Sequence, residues 1–245
     1  MELSNKTNQA INRVKSLLKR FRTLGHTCLL CQENNSRRMC RLCEAYLPVP
    51  QHPCQRCSIP LPHKTPYCGS CLKKPPYFDD TFSPYLFETP MDALIYDFKH
   101  KGHELIGLGL AELFSTAIQA HYLRQHLSLP DKLVAVPIHW SNQWQRCFNQ
   151  SEILSDKISK RLGMPVFNTC KRVRKTPKQQ GLNKKERLKN LKGCFKVYGE
   201  LEGQSIAIVD DVMTSGATAN TLAQELKRAG AGHVSVWALA RTPLP

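Results

Sequence analysis

Residues 205–218 read Ser-Ile-Ala-Ile-Val-Asp-Asp-Val-Met-Thr-Ser-Gly-Ala-Thr, and the fold follows from this stretch. Ile206, Ala207, Ile208 and Val209 form a short continuous apolar run, the pattern of a parallel strand buried on both faces, and Asp210 and Asp211 end it abruptly. Ionised carboxylates are costly to bury, so the pair belongs at a cleft, and in an open α/β sheet the cleft lies beyond the carboxyl ends of the strands. Thr214, Ser215, Gly216, Ala217 and Thr218 are small and hydroxyl-rich and lead into a helix with apolar positions at Ala219, Leu222, Ala223 and Leu226. That composition suits a phosphate cradle. Gly216 lets the main chain approach an anion, and Thr214, Ser215 and Thr218 supply side-chain donors. A helix dipole contributes only about 0.3 to 1 kcal/mol, against roughly 1.5 to 3 kcal/mol for each hydrogen bond to a charged acceptor, so amides and hydroxyls dominate. Carboxylates repel a neighbouring phosphate, and their natural partners are sugar hydroxyls, with magnesium screening the charge. The implied ligand is a ribose 5-phosphate group.

The apolar run, Asp210-Asp211, Thr214-Ser215-Gly216 and Thr218 together resemble the phosphoribosyl pyrophosphate (PRPP) motif of type I phosphoribosyltransferases. The resemblance implies that Asp210 and Asp211 contact the ribose hydroxyls as the catalytic pair and that Thr214 to Thr218 hold the 5-phosphate. A plain strand-turn-helix with an acidic pair is the alternative. Leu133, Val134, Ala135 and Val136 form a second buried-strand run, whose carboxyl end is expected beside that of residues 205–210. Pro137 ends this run, and Ile138, His139 and Trp140 stand where this class of enzyme keeps its pyrophosphate loop; the resemblance makes Pro137, Ile138, His139 and Arg146 ligand-binding candidates, with His139 either a base or a simple loop residue.

Arg146-Cys147-Phe148-Asn149-Gln150 opens a helix carrying Ile153, Leu154, Ile158 and Leu162. It resembles the Arg-Gly-Phe-Asn-Gln segment of the ComF family of competence-associated phosphoribosyltransferase-like proteins, GntX-type members included, with Cys147 in place of glycine. Arg172, Thr176, Gln179, Leu182, Arg187, Asn190 and Phe195 extend the likeness, which spans about residues 26 to 240.

Ahead of this lie four Cys-x-x-Cys pairs, Cys28/Cys31, Cys40/Cys43, Cys54/Cys57 and Cys68/Cys71. Each pair lets two thiolates of one turn face the same zinc, and two turns complete a tetrahedral site. The spacing favours consecutive sites, with the first four cysteines on one zinc and the last four on a second; interleaved pairing is the alternative. About fifty residues bury too little apolar surface to fold unaided, whereas a structural zinc contributes roughly 10 to 16 kcal/mol. A redox role is the rival reading, but redox Cys-x-x-Cys motifs occur singly on βαβ scaffolds. Four thiolates per ion leave neither zinc an open position for catalysis.

The chain has 245 residues, 41% hydrophobic, room for one ordinary domain and a small module. Its formal charge of +16 points to an acidic polymer or a phosphorylated ligand. No apolar run approaches the roughly 18 residues of a membrane span, and Lys15 and Lys19 interrupt any signal-like run at the amino end. A cytoplasmic protein, peripheral at most to the inner membrane face, is expected, and paired cysteines in reducing surroundings hold metal more often than disulfides.

Ile11, Val14, Leu17, Leu18 and Phe21 share a helical face among basic residues, a helix for the protein body, an anionic membrane or a nucleic-acid backbone. Residues 77–88 read as strands or extended chain, and Met91 to Tyr122 as two helices broken at Lys99-His100-Lys101-Gly102, with His100 and His103 as surface residues. From Lys171 to Lys192 ten basic residues face one acid, Glu186. This segment is a mobile loop over the ligand in related enzymes; it equally suits single-stranded DNA, gripped by Lys175, Lys178, Lys184, Lys185, Arg187 and Lys189, or a solvated face.

The expectation is therefore an α/β protein with a type I phosphoribosyltransferase fold, a mainly parallel sheet flanked by helices, in residues 77–245. A double zinc ribbon precedes it at 26–76 and a basic helix at 1–25. The resemblance implies PRPP with magnesium as ligand, work in DNA uptake during natural transformation, single-stranded DNA and other uptake proteins as partners, or alternatively a phosphoribosyltransferase of nucleotide salvage.

Overall fold

The computed structural model describes residues 26–100, 104–138, 148–174, 191 and 193–243. The expected amino-terminal helix, His103, His139, Arg146 and the basic residues Lys175, Lys178, Lys184, Lys185, Arg187 and Lys189 lie outside them. The chain divides into two compact units, with the boundary between Tyr46 and Leu47. In the smaller unit, β1 (His26–Thr27) and β2 (Asn34–Asn35) pair antiparallel and are followed by the single-turn helix α1 (Arg41–Ala45).

The larger unit begins with the cysteine turn at Cys54 and a second short helix, α2 (Gly69–Lys73). Its elements then run β3 (Asp80–Phe82), β4 (Tyr85–Leu86), α3 (Met91–His100), α4 (Glu104–Arg124), β5 (Lys132–Ala135) and α5 (Gln150–Leu162). After these come β6 (Cys170–Arg172), β7 (Phe195–Val197), β8 (Ser205–Met213), α6 (Ala217–Arg228) and β9 (His233–Arg241). The central sheet has the order β3-β9-β8-β5, with β4 also on β9, and every pairing in it is parallel. The expected α/β architecture, a parallel sheet flanked by helices, is thus the one observed. β6 and β7 form a separate antiparallel ribbon.

Burial on both faces explains the unbroken apolar runs. Ile206, Ala207, Ile208 and Val209 are fully buried, as are Val234, Val236, Trp237, Ala238 and Leu239. Successive side chains of a strand point to opposite faces. Ile206, Ile208, Val234, Val236 and Ala238 pack with Ala219, Leu222, Ala223 and Leu226 of α6. On β9 the alternate residue Trp237 reaches α4, where its Nε1 donates to the Tyr122 hydroxyl at 3.1 Å.

One strand is longer than its apolar run. β8 was expected to stop at the acidic pair, yet it continues to Met213, with Asp210 opposite Ala238, Val212 opposite Ala240 and Met213 opposite Arg241. Backbone pairing with β9 does not depend on side-chain polarity, and so outlasts the apolar pattern. On the other flank β5 ends with Ala135 opposite Val209. The two acids therefore stand one step past the end of their neighbour, with β9 supporting them on one side only.

Candidate functional site

The acidic pair is held from three directions. Asp210 Oδ1 accepts from its neighbour's backbone, Asp211 N, at 2.9 Å and from Ser151 Oγ at 3.3 Å. Asp211 is 7% exposed and pairs with Lys99, Nζ to Oδ2 2.8 Å. Ser151 arrives because Asn149 caps α5: its Oδ1 accepts from Ser151 N at 3.1 Å while its Nδ2 donates to Val136 O at 3.1 Å. One buried amide thus joins the end of β5 to the start of α5 and sets Ser151 against Asp210. Lys99 is carried by α3, which is fixed by the fully enclosed Phe98 lying so close to Gly107 of α4 that a Cβ there would come within 2.5 Å of the ring.

Two carboxylates side by side in a desolvated cleft cannot both ionise freely. Burial, then the negative charge of Asp211, push the Asp210 carboxyl up to about 7, against the lowering pull of Lys99, the Asp211 amide and Ser151. Lys99→Met removes the only cation in that balance, so the Asp210 titration is expected to move higher still. Carboxyl-carbon NMR across pH 5 to 9 measures this, and a midpoint that stays or falls would show that Lys99 has no influence on the pair.

Past Met213 the chain turns into α6 through Gly216, which adopts φ 73° and caps the helix without a side-chain hydrogen bond. The positive φ favours glycine, and a Cβ would also meet Met213 Cε at 2.7 Å. Ser215 Oγ accepts weakly from Ala217 N at 3.4 Å, Thr214 is exposed, and Ser215 and Thr218 are half-buried. First-turn amides of a helix have no intrahelical acceptor, and with no side-chain cap bond on Gly216 the start of α6 is open to an anion.

Pro137 is buried and Ile138 half-buried just past the end of β5, after Val136, whose amide donates to Val209 O at 3.0 Å. Gln150, at the first turn of α5, is 3% exposed and its Nε2 lacks a hydrogen-bond partner among the described residues, a donor left over for a bound group. The structure places Asp210 and Asp211 one step past the end of β5, the 214–218 turn after them, and Pro137 and Ile138 past the end of the neighbouring strand. It adds three residues to which sequence alone assigned no site role, Lys99, Ser151 and Gln150. Lys99 was visible only as part of a helix break, and Gln150 only as the end of a quoted motif.

The eight paired cysteines form two clusters, Cys28, Cys31, Cys40, Cys43 and Cys54, Cys57, Cys68, Cys71, with the sulfurs of each within 4.8 Å of one another. Pairing is consecutive. Zinc–sulfur bonds of about 2.3 Å set tetrahedral sulfurs roughly 3.8 Å apart; Cys31 and Cys40 are at 3.9 Å and Cys57 and Cys68 at 3.7 Å. The donor set fits a structural zinc in each.

The two centres are one design built twice. The third cysteine's amide donates to the first sulfur, Cys40 N to Cys28 Sγ at 3.4 Å and Cys68 N to Cys54 Sγ at 3.3 Å. The fourth cysteine's amide donates to the third sulfur at 3.4 Å in both. The residue four past the first cysteine has positive φ in both, Gln32 and Ser58. Burial alone would raise the thiol of Cys28, yet the amides of Cys40, Leu30 and Cys31 bring it down to about 6, and Cys54 is lowered in the same way. Within each cluster this first cysteine is the thiol most readily ionised, whereas Cys31, Cys43, Cys57 and Cys71 are raised.

Their settings differ. In the first centre Cys31 is exposed, whereas all four cysteines of the second are buried and share a core with Val134, Ile206, Ile208 and Val236. The second belongs to the larger unit, where Thr81 Oγ1 donates to Arg56 O at 2.7 Å and Arg241 Nε donates to Cys57 O at 2.8 Å.

Of the basic segment, the described part is the β6–β7 ribbon, where Lys171 lies 6.0 Å from the Tyr198 ring centre and Arg172 5.8 Å from that of Phe195. A cavity of about 410 Å³ beside it is lined by Lys196, Tyr198, Gly199, Glu225 and Arg228. No helix among the described residues is long and apolar enough to cross a membrane.

No family model matches the chain. Competence protein F of Haemophilus influenzae is 34% identical over 192 residues, covering 77% of this chain and 84% of that protein. DNA utilization protein YhgH of Salmonella typhimurium is 36% identical over 190 residues, with coverage of 77% and 84%. Competence protein ComFC of Bacillus subtilis is 26% identical over 222 residues, 89% of this chain and 79% of its own. Among solved structures, a purine phosphoribosyltransferase from Pyrococcus horikoshii aligns with a TM-score of 0.36 and 18% identity, over 54% of this chain and 83% of that one.

Proposed function

Since the chain belongs to the ComF family of competence and DNA-utilization proteins, we propose that it binds PRPP or a related ribose 5-phosphate and acts in the handling of incoming single-stranded DNA. The observation that carries the ligand is the position of Asp210 and Asp211 at the carboxyl edge of the sheet, one step past the end of β5 and directly ahead of the turn into α6. A phosphate seated on the amides and hydroxyls of residues 214–218 leaves the ribose diol facing the two acids. Lys99, already paired with Asp211, adds a positive charge beside the acids that would hold the diol.

Magnesium suits this site because it is held by one or two carboxylates together with substrate phosphates; bound there, it screens the pyrophosphate charge. Asp210 and Asp211 are the residues that would hold it. Were the bound sugar to react, the same contacts would fix the anomeric carbon for attack and stabilise the leaving pyrophosphate.

Calorimetric titration of zinc-loaded protein with PRPP and magnesium tests the ligand, and absence of heat at millimolar PRPP would sink this reading. Pyrophosphate release with a panel of bases, compared with Asp211→Asn, separates a transferase from a binding protein. For DNA, support comes from the formal charge of +16 and the relatives' names. Reversing the charges of Lys184, Lys185 and Arg187 is expected to weaken single-strand binding at least tenfold and to flatten its salt dependence; an unchanged salt slope would remove this segment from the interface.

A further inference from the structure

Arg241, the last residue of β9, is 3% exposed, and none of the ion pairs among the described residues includes it. Its guanidinium donates to main-chain carbonyls and also interacts with the Cys57 side chain. Nε donates to Cys57 O at 2.8 Å, and Nη1 donates to Met213 O at 2.8 Å, to Thr242 O at 2.8 Å and to Thr214 O. One side chain thus spans from the second cysteine turn to the first residues of the phosphate turn.

Two physical consequences follow. A peptide plane holds its C=O and the next N–H on opposite sides. Fixing the carbonyls of Met213 and Thr214 on Arg241 therefore aims the amides of Thr214 and Ser215 away from the buried guanidinium, as an anion-binding turn requires. A buried cation also needs compensating charge. Zinc bound by four thiolates carries a net charge of about −2, and the backbone of that shell is what Arg241 touches. The carbonyl acceptors take up the Nε and Nη1 hydrogens, and the thiolate shell balances the charge.

We propose that Arg241 is a positioning residue that makes the second tetracysteine centre part of the ligand site, so that the order of the 213–218 turn, and with it ligand affinity, depends on that centre being loaded. The affinity half of this inference rests on the PRPP reading above; the turn-ordering half does not. Coupling of this kind is reciprocal, so a ligand on the turn must also retain the metal.

The test uses full-length, zinc-loaded protein, comparing wild type with Arg241→Gln and Arg241→Lys. Amide hydrogen exchange is followed by mass spectrometry in peptides covering 213–218, 54–59 and, as reference, 104–124. The expected result for Arg241→Gln is at least tenfold faster exchange in the first two with the reference unchanged. Arg241→Lys should fall between, since it keeps the charge but has a single nitrogen and cannot span from the Cys57 carbonyl to those of Met213, Thr214 and Thr242, and it serves as the comparison if Arg241→Gln does not fold. In wild type, PRPP with magnesium should slow release of one of the two zincs to a colorimetric chelator at least fivefold, and the protection should vanish in the variants along with a tenfold loss of PRPP affinity. Unchanged exchange at 213–218, or acceleration shared equally by 104–124, overturns the proposal. If wild type fails to bind PRPP while exchange in the turn still follows Arg241, the ligand reading falls and the coupling stands. If PRPP binds but leaves both zincs equally labile, the coupling falls and the ligand reading stands.

Discussion

Cys54→Ser is expected to lower the melting midpoint of the larger unit by about 10 °C or more, while Cys31→Ser leaves it within about 3 °C. Both changes remove one thiolate from a four-sulfur shell. Cys54, however, is fully enclosed, packs in the same core as Val134, Ile206, Ile208 and Val236, and receives the Cys68 amide on its sulfur. Its loss weakens the metal and leaves a polar hydroxyl and a small void in the interior, each a cost on the order of 1 to 3 kcal/mol. Cys31 is exposed and belongs to the other unit. Tryptophan fluorescence reads the larger unit alone, because Trp140, Trp144 and Trp237 all follow Leu47. Equal losses from the two variants would mean that the second centre is no more part of the core than the first.

The second large effect joins two opposite changes in one variant. Asp210→Asn should weaken PRPP binding roughly 10- to 100-fold, the loss of one charged hydrogen bond or more to the ribose diol and its cation. The same variant should melt higher than wild type at pH 8. The folded-state titration of Asp210 is raised, to about 7, from an ordinary value of 3.8. Between those values the folded protein keeps a proton that the unfolded chain releases, so wild-type stability falls as pH rises through that window and stays low above it. Asparagine carries no such linkage. Its advantage is therefore on the order of a few kcal/mol at pH 8 and disappears below about pH 4. A functional pair held at the expense of stability behaves this way. Differential scanning calorimetry at pH 4.5 and pH 8 with parallel PRPP titrations measures both; a pH-independent difference in melting would show that Asp210 is not a strained carboxylate.

Much of this was legible in residue order alone. Apolar runs at 133–136 and 206–209 announced buried parallel strands because strands covered on both faces cannot alternate. Four Cys-x-x-Cys pairs announced two four-sulfur clusters, and the small residues after Asp211 announced the turn into a helix. What stayed hidden depends on contacts between distant parts of the chain. Nothing local to Lys99 says that it will lie 2.8 Å from Asp211. The extension of β8 to Met213 is set by the partner strand, not by its own polarity. No motif includes Arg241, yet it is one of the most enclosed charges among the described residues. Sequence treats residues 26–76 as one module of like parts, whereas the two cysteine clusters fall on either side of the division at Tyr46.

The duplicated cysteine turn gives this molecule an internal control. The two shells share donors, hydrogen-bond pattern and backbone geometry, and differ mainly in whether solvent reaches a sulfur. Cobalt substitution should accordingly give two closely similar thiolate-to-metal spectra that bleach at different speeds under peroxide. The ratio of those speeds would measure what shielding alone contributes to the lifetime of a tetrathiolate, with ligand chemistry held constant inside a single polypeptide.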